Sequence, residues 1–505
     1  MSNKTMVAVA AALVVAAYGG GTWYSGEQVH KSFQEAAAEL RHAVGEDAVV
    51  RDSYEKGFFS SKANLVLEWT PDAPQVPVEE HDGDEVEPAS AAAVTPLKPM
   101  RLVMNSDIRH GPLAGAKLAA AVVDSRFALE GIDDKTKQAF AKASMPTLTV
   151  VRHLMGSSDW RFALPAGEFA DDGVAARWAD MAYDVVVGSD KKSVTGDFKW
   201  PELVITGLPK SSADDYADED QEDEDGEEAP APVRASKGEQ MAIAVKGMGG
   251  SFNTTMIEGL WGVGPGKMQM RVANAQVTTQ QADGPPEVVV DLKDITGDTK
   301  MEADAKTLSI SNHINGVGRI GPLEFESLGY EEKIQRLDIE VLRSLQQMVL
   351  EGYRAGGLSQ ALAPAEDQLA EWMERSGPKL LQALPSYNMK LNAHYQGSAG
   401  HLEYGFGVLK APSAEEVAEK GWMPVLLKGS VLNASARLPK AWMVNIAKAS
   451  GQELGPEELD AMIQMASSSG YARVDGDFLT ADLKVQDGQM NLNGVVKPLP
   501  MGLGR

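Results

Sequence analysis

"KMQMRVANAQVTT", Lys267 to Thr279, alternates apolar with polar side chains, and "PEVVVDLKDITG", Pro286 to Gly297, has a similar pattern. Successive side chains of a β-strand point to opposite faces, so a period of two is typical of half-buried strands. Similar stretches, cut by Gly, Pro and Asp turns, recur from Val49 to about Tyr330. The pattern predicts a large, mainly antiparallel sheet or an elongated two-layer β structure.

Helical spacing flanks this β-rich stretch on both sides. An amphipathic stalk helix is predicted from Val29, Phe33, Ala37, Leu40 and Val44, and its apolar face packs either on its own domain or on a partner helix. Beyond Glu331, the spacing of Ile334, Leu337, Val341, Leu345 and Met348 predicts a helix, and the next one breaks at Gly377-Pro378. Asp487-Gly488 predicts a closing hairpin with a type I′ turn.

These patterns predict an α+β fold in three parts. Residues 1–26 form a membrane anchor with an N-terminal transmembrane helix, residues 27–330 the stalk helix and β-rich region, and residues 331–505 a helix-rich C-terminal region ending in a β-hairpin. Two acidic inserts, at about 71–100 and 211–239, lack an apolar pattern and are predicted to be disordered.

Composition excludes several classes of function. A net charge of −25 argues against a nucleic-acid partner, which would need a basic patch. The chain has no cysteine, so disulfides, thiolate metal sites and a cysteine nucleophile are excluded. Catalytic motifs also fail: "GVGPGK" at Gly262 to Lys267 has the wrong spacing for a phosphate loop, and the histidines form no zinc motif. We therefore predict no cofactor and no metal.

The N-terminus predicts the location of the protein. Between Lys4 and Glu27 runs an uncharged apolar segment, Met6 to Tyr24, long enough to cross a bilayer as a helix. The alternative is a cleaved signal peptide, but no convincing cleavage site precedes Gly19 and an aromatic pair, Trp23-Tyr24, suits a membrane interface. We expect a single-pass inner-membrane protein with most of its chain in the periplasm.

A homodimer is one further expectation for this segment. Small residues recur at four-residue spacing, which lets membrane helices pack closely, although so alanine-rich a segment produces this pattern by chance. The residues are Ala8, Ala12, Ala16 and Gly20.

One stretch raises a catalytic question, "YEKGFFSSKANLVLEW" from Tyr54 to Trp69. Its alternation predicts a half-buried strand over Lys62 to Trp69, with Ser60 and Ser61 at the entrance and no base nearby in sequence. A spatially assembled hydrolase site would draw on Ser60, Ser61, His110 and a carboxylate, because a serine nucleophile needs an oriented base. We favour a structural role for these residues.

Four features resemble the YdgA-like family of uncharacterised, membrane-anchored bacterial envelope proteins. They are a short basic start with an apolar segment ending in Trp-x-x-Gly (Trp23 to Gly26), then "YEKGFFSS", "IRHGPL" and "DGQMNLNG". The resemblance implies an inner-membrane or periplasmic location in a Gram-negative bacterium and no reaction. Function remains open between a non-catalytic protein that binds an envelope protein or lipid, through a sheet edge or an apolar face, and an envelope hydrolase.

Overall fold

The computed structural model describes residues 25–498 except 43, 70–98, 115–116, 172, 210–238, 261, 282–283, 363–365, 421 and 450–454. Its described part contains 22 strands, and every pairing between them that we describe below is antiparallel. The chain divides into two compact units, each made of separate segments. One contains Met1–Pro165, Tyr183–Val194 and Arg343–Met373, and the other contains Ala166–Ala182, Thr195–Leu342 and Glu374–Arg505.

The first unit is built on a six-stranded antiparallel meander in which each strand pairs with the next along the chain. Its strands are β1 (Val49–Glu55), β2 (Ser60–Trp69), β3 (Met100–His110), β4 (Ala121–Glu130), β5 (Thr147–Arg152) and β6 (Ser158–Leu164). The predicted strand at Lys62 to Trp69 is confirmed as part of β2, where Ala63 and Leu65 are buried.

Two helices accompany this meander. In helix α1, residues 25–42, the ring of His30 stacks on Tyr54 of β1, and Arg41 forms a salt bridge with Asp52 at 2.8 Å. The stalk helix thus packs on its own domain. Helix α2 (Asp134–Ala139) begins after Asp133, whose side chain accepts a hydrogen bond from the Thr136 N–H and so caps the helix.

The second unit contains the longest strands. Its strands are β7 (Gly167–Asp171), β8 (Val174–Trp178), β10 (Ser193–Pro209), β11 (Glu239–Thr255), β12 (Gly266–Gln281), β13 (Glu287–Ala303), β14 (Thr307–Ile320), β15 (Leu323–Asp338), β16 (Ser386–Tyr395), β17 (Ser398–Val408), β18 (Ser430–Pro439), β19 (Arg473–Asp475), β20 (Phe478–Gln486), β21 (Gln489–Leu492) and β22 (Val495–Pro498). Strand β9 (Met181–Val187) belongs mostly to the segment Tyr183–Val194 of the first unit. Strands β11 to β18 pair consecutively, and β20 follows β18.

Six further helices interrupt the later strands. They are α3 (Ile339–Leu362), α4 (Glu366–Gln382), α5 (Ala414–Lys420), α6 (Trp422–Gly429), α7 (Lys440–Ala449) and α8 (Pro456–Ser468). Where α3 begins, a small core of Leu260, Leu308 and Ile339 closes one end of the sheet.

The α+β prediction with a helix-rich C-terminal region is wrong, because the antiparallel sheet continues past residue 331 and the molecule is mostly β-sheet. Ile334 and Leu337 belong to β15 rather than to a helix. They face Ile310 and Leu308, so three residues on β15 span two on β14. This β-bulge, with Arg336 at a φ of 57°, gives apolar residues three apart the same orientation and imitates helical spacing.

Other local predictions can be compared directly. Helix α4 continues through Pro378, so the predicted break at Gly377-Pro378 is wrong. The Asp487-Gly488 hairpin is confirmed: both residues have positive φ, 53° and 73°, as a type I′ turn requires.

The predicted N-terminal transmembrane helix finds no support in the structure. Met6 to Tyr24 and most of both acidic inserts lie outside the described residues. Within the described part of the chain, no helix combines the length and apolar character needed to span a bilayer.

Candidate functional site

The sheet of the second unit has one largely apolar face. Because each paired residue lies directly opposite its partner, side chains can be followed from strand to strand. One row crosses β11 to β18 and β20: Gly250, Met270, Gly297, Ile314, Tyr330, Leu391, Leu402, Ala436 and Ala481. A second row on the same face comprises Met301, Ile310, Ile334, Tyr387, Phe406, Leu432 and Val485.

The opposite face is polar along its whole width. Its residues are displaced by one position along each strand, as the pleat requires. The corresponding row is Gln269, Asp298, His313, Glu331, Lys390, Glu403, Ser435 and Asp482. The polar face is therefore suited to water, and the apolar face needs a cover.

A cavity of about 550 Å³ lies on the apolar face. Large side chains on its floor remain exposed: Ile314 by 37%, Leu391 by 39% and Leu402 by 42%. The apolar side chains that line it are Leu292, Ile295, Ile314, Ile320, Leu323, Phe325, Leu328, Tyr330, Leu391, Ala393, Tyr395, Leu402, Leu438, Trp442 and Ile446. A contiguous apolar surface left open in this way is typical of a binding site.

Trp442 of α7 forms one wall of the cavity. Its indole N–H donates to the Tyr395 carbonyl at 3.0 Å, and its ring meets the Tyr395 ring edge-on at 5.9 Å. The ring fits against Gly400, where a Cβ atom would come within 2.6 Å of it. Trp442 is almost fully buried and fixes α7 on the sheet.

A polar step interrupts the apolar face between the two rows. Asn312 donates a hydrogen bond to Glu332 at 2.7 Å, and both side chains are half-buried. Burial, a hydrogen bond with Tyr387 and the charge of Glu332 raise the pKa of Tyr330 to about 12. Tyr330 therefore stays a neutral hydroxyl at physiological pH and offers the cavity one uncharged polar group.

The structure also brings Ser61 and His110 together in the first unit. Ser61 Oγ lies 2.7 Å from His110 Nε2 and accepts a hydrogen bond from the Gly57 N–H at 3.2 Å. Both residues are buried, with 3% and 2% of their surface exposed. Ser60, the neighbouring candidate, points to the exposed side of β2.

The electrostatics of this pair are those of a neutral histidine. Burial and, secondarily, the positive charge of Lys56 lower the pKa of His110. Burial raises the pKa of Tyr54, although the proximity of Ser61 opposes the rise. His110 Nδ1 and the Tyr54 hydroxyl have no hydrogen-bond partner among the described residues. No carboxylate among those residues orients His110, as a serine-histidine triad would require.

Comparison with protein families gives one match. The family model described as a bacterial protein of unknown function (DUF945) matches residues 2–500. The chain belongs to this family. No curated protein and no solved structure matches the DUF945 chain. The resemblance noted from the sequence motifs is thereby confirmed at the level of a bacterial family of unknown function that covers nearly the whole chain.

Sequence reasoning found part of the candidate sites of this DUF945 protein. It named Ser61 and His110 together as candidates in the hydrolase alternative, and the structure brings these two side chains into contact. It missed Tyr54, although that residue opens the same quoted stretch, and it missed the apolar floor. Alternation was predicted on the strands up to about Tyr330, whereas Leu391 and Leu402 lie in the region that was predicted to be helix-rich. The pairing that aligns them with Ile314 is not local in sequence.

Proposed function

We propose that this DUF945 protein is a non-catalytic envelope protein that binds the acyl chains of a lipid on the apolar face of its second unit. The observation that carries the proposal is the open apolar floor, half-exposed at Ile314, Leu391 and Leu402, beside a cavity of about 550 Å³. Ligand cavities in proteins commonly fall between about 300 and 1,000 Å³.

An acyl chain fits this floor better than a peptide does. The backbone N–H and C=O groups of the floor strands are already paired with one another. A peptide segment lying across them would leave its own polar backbone groups without partners, which is costly in an apolar site. Hydrocarbon carries no such groups, and none of the described residues that line the cavity is Asp, Glu, Lys or Arg.

The place of action is part of the same proposal. The apolar sequence Met6 to Tyr24 and the YdgA-like motifs favour association with the inner membrane and a periplasmic location for the rest of the chain. At that place the protein meets lipids directly, so a ligand of this class is available to it.

Two matched double variants test the proposal. Leu391 and Leu402 lie directly opposite each other on the apolar face, and Lys390 and Glu403 form the adjacent pair on the polar face. We expect Leu391→Gln with Leu402→Gln to weaken binding of a fluorescent fatty acid roughly 30-fold or more, since about 2 kcal/mol of apolar contact is lost. Titration of the detergent-free protein, with mass spectrometry of co-purified lipids, measures this.

The control pair is Lys390→Gln with Glu403→Gln, which changes the same two strands at the same depth. It should bind the fatty acid as the unmodified protein does. Equal binding by both double variants would show that the ligand does not lie on the apolar face. Loss of binding by both would show that the strands, rather than their faces, were disturbed.

An envelope hydrolase is the second candidate, favoured by the 2.7 Å contact between Ser61 and His110. Against it stand the burial of both side chains and the missing carboxylate partner of His110 among the described residues. A nucleophilic serine must reach a substrate carbonyl, so an enclosed Ser61 is poorly placed for this chemistry.

A further inference from the structure

Three turns of the first unit lie along one edge of its meander. Cross-strand pairs place them together: Ser60 lies opposite Arg109, His110 opposite Ala121, and Ala121 opposite Arg152. The turns at residues 56–59, at 111–114 with 117–120, and at 153–157, between β1 and β2, β3 and β4, and β5 and β6, therefore form one border. We call it the loop edge.

Each turn of the loop edge exposes two large hydrophobic side chains. The first exposes Phe58 and Phe59, and the second exposes Leu113 and Leu118. The third exposes Leu154 and Met155, the latter by 87%. Single exposed hydrophobics are ordinary on protein surfaces, but a contiguous set at the tips of adjacent turns marks a surface that contacts something apolar.

Charge on the loop edge differs from charge on the chain as a whole. The protein has 72 acidic and 47 basic residues. The three turns contain no Asp or Glu, and Lys56, Lys117 and His153 lie within them. Two carboxylates border the turns, because Lys56 forms a salt bridge with Glu27 and His153 Nε2 lies 2.8 Å from Asp159. Anionic lipid headgroups attract basic side chains, and an acidic protein approaches such a surface most easily through a region where carboxylates are few and paired with basic groups.

The chain also enters the first unit at this edge. Gly26, at the start of α1, lies against the ring of His110: a Cβ atom placed on this glycine would be 3.5 Å from that ring. His110 ends β3 and directly precedes the second turn. The preceding sequence, Met6 to Tyr24, is apolar and closes on Trp23-Tyr24. The loop edge and the point where the apolar sequence joins the fold thus coincide.

We propose that the loop edge contacts the headgroup and upper acyl region of an anionic bilayer, with the three hydrophobic pairs inserted as anchors. The six side chains, the lack of Asp and Glu within the three turns and the position of Gly26 all fit a membrane surface. The inference rests on the membrane association in the proposed function and is independent of acyl binding by the second unit.

The absence of cysteine makes a direct test simple. Leu118→Cys and Met155→Cys each provide a single labelling site for an environment-sensitive fluorophore on the full chain. The labelled proteins are reconstituted with vesicles of phosphatidylethanolamine and phosphatidylglycerol. We expect blue-shifted emission at both sites, and several-fold quenching when the lipids carry a nitroxide on the upper acyl chain.

The matched control is Glu130→Cys, an exposed position at the other end of β4. It should remain unquenched by lipid and accessible to iodide in the water phase. The proposal would be overturned if the protein attaches to the vesicles while the labels at positions 118 and 155 stay accessible to iodide. Tip sites shielded from iodide but unquenched by lipid would overturn it too, since a protein would then cover them.

One outcome separates this inference from the proposed function. If the full chain does not associate with the vesicles, the loop edge is not a membrane surface. Fatty-acid binding by the Leu391 and Leu402 double variant is measured without vesicles, so its result stands or falls separately.

Discussion

At the residue scale, hydrogen bonds of Ser61 and His110 connect the turn at residues 56–59 to the end of β3. The hydroxyl of Ser61 accepts a hydrogen bond from the Gly57 N–H and forms a second hydrogen bond with the His110 imidazole. The backbone N–H of His110 donates to the Phe59 carbonyl at 2.9 Å. Both contacts hold the turn at residues 56–59 against the end of β3. The same contacts fix where Phe58 and Phe59 are presented on the loop edge.

Replacing Ser61 with alanine distinguishes a structural role of these hydrogen bonds from a catalytic role of the serine. Ser61→Ala leaves a buried imidazole nitrogen and the Gly57 N–H without their partner, so the free energy of unfolding should fall by about 1–3 kcal/mol. Ser60→Ala, at an exposed neighbour, should change it by less than about 0.5 kcal/mol. Urea unfolding measures both. A fluorophosphonate probe should not label folded protein; labelling that disappears in Ser61→Ala would instead establish a nucleophilic serine.

At the element scale, the features that could be predicted from the sequence are those set by residues close together along the chain. The spacing of Ser413 and Glu416 is that of a capping box, and Ser413 Oγ accepts a hydrogen bond from the Glu416 N–H at 3.1 Å. Strand alternation was also readable, because the period of two needs no knowledge of partners. The bulge near Arg336 was not, since it is defined only by the pairing of β15 with β14. The wall formed by α7 depends on Gly400, which is distant from Trp442 in sequence.

Two glycines of β17 provide a matched test of that wall. In Gly400→Ala the new Cβ would lie 2.6 Å from the Trp442 ring, so α7 must shift and stability should fall by about 1–3 kcal/mol. In Gly407→Ala the nearest atom, on Ser386, is 3.5 Å away, an ordinary contact, so stability should be unchanged or rise by up to about 1 kcal/mol. Denaturant unfolding compares them, and equal losses would mean that the contact with Trp442 is unimportant.

At the scale of the whole molecule, the candidate site is a property of a sheet rather than of a motif. Its floor combines Ile314, Leu391 and Leu402 from separate strands, each unremarkable alone. A catalytic motif can be recognised in a sequence by its reactive residue types. A hydrocarbon-binding face, in contrast, has the same apolar composition as the buried face of any strand. The site could therefore be found only after cross-strand register had shown that one face is largely apolar and incompletely covered.

The length of the apolar row predicts how affinity should depend on the ligand. The row crosses nine strands, roughly 40 Å at the usual spacing between strands. Each buried methylene contributes about 0.8 kcal/mol, so affinity for saturated fatty acids should rise about fourfold per added carbon. Titration with chains of increasing length tests this. Because the floor extends along the row, the affinity should keep rising for long fatty acids. An affinity that does not depend on the length of the fatty acid would contradict acyl binding.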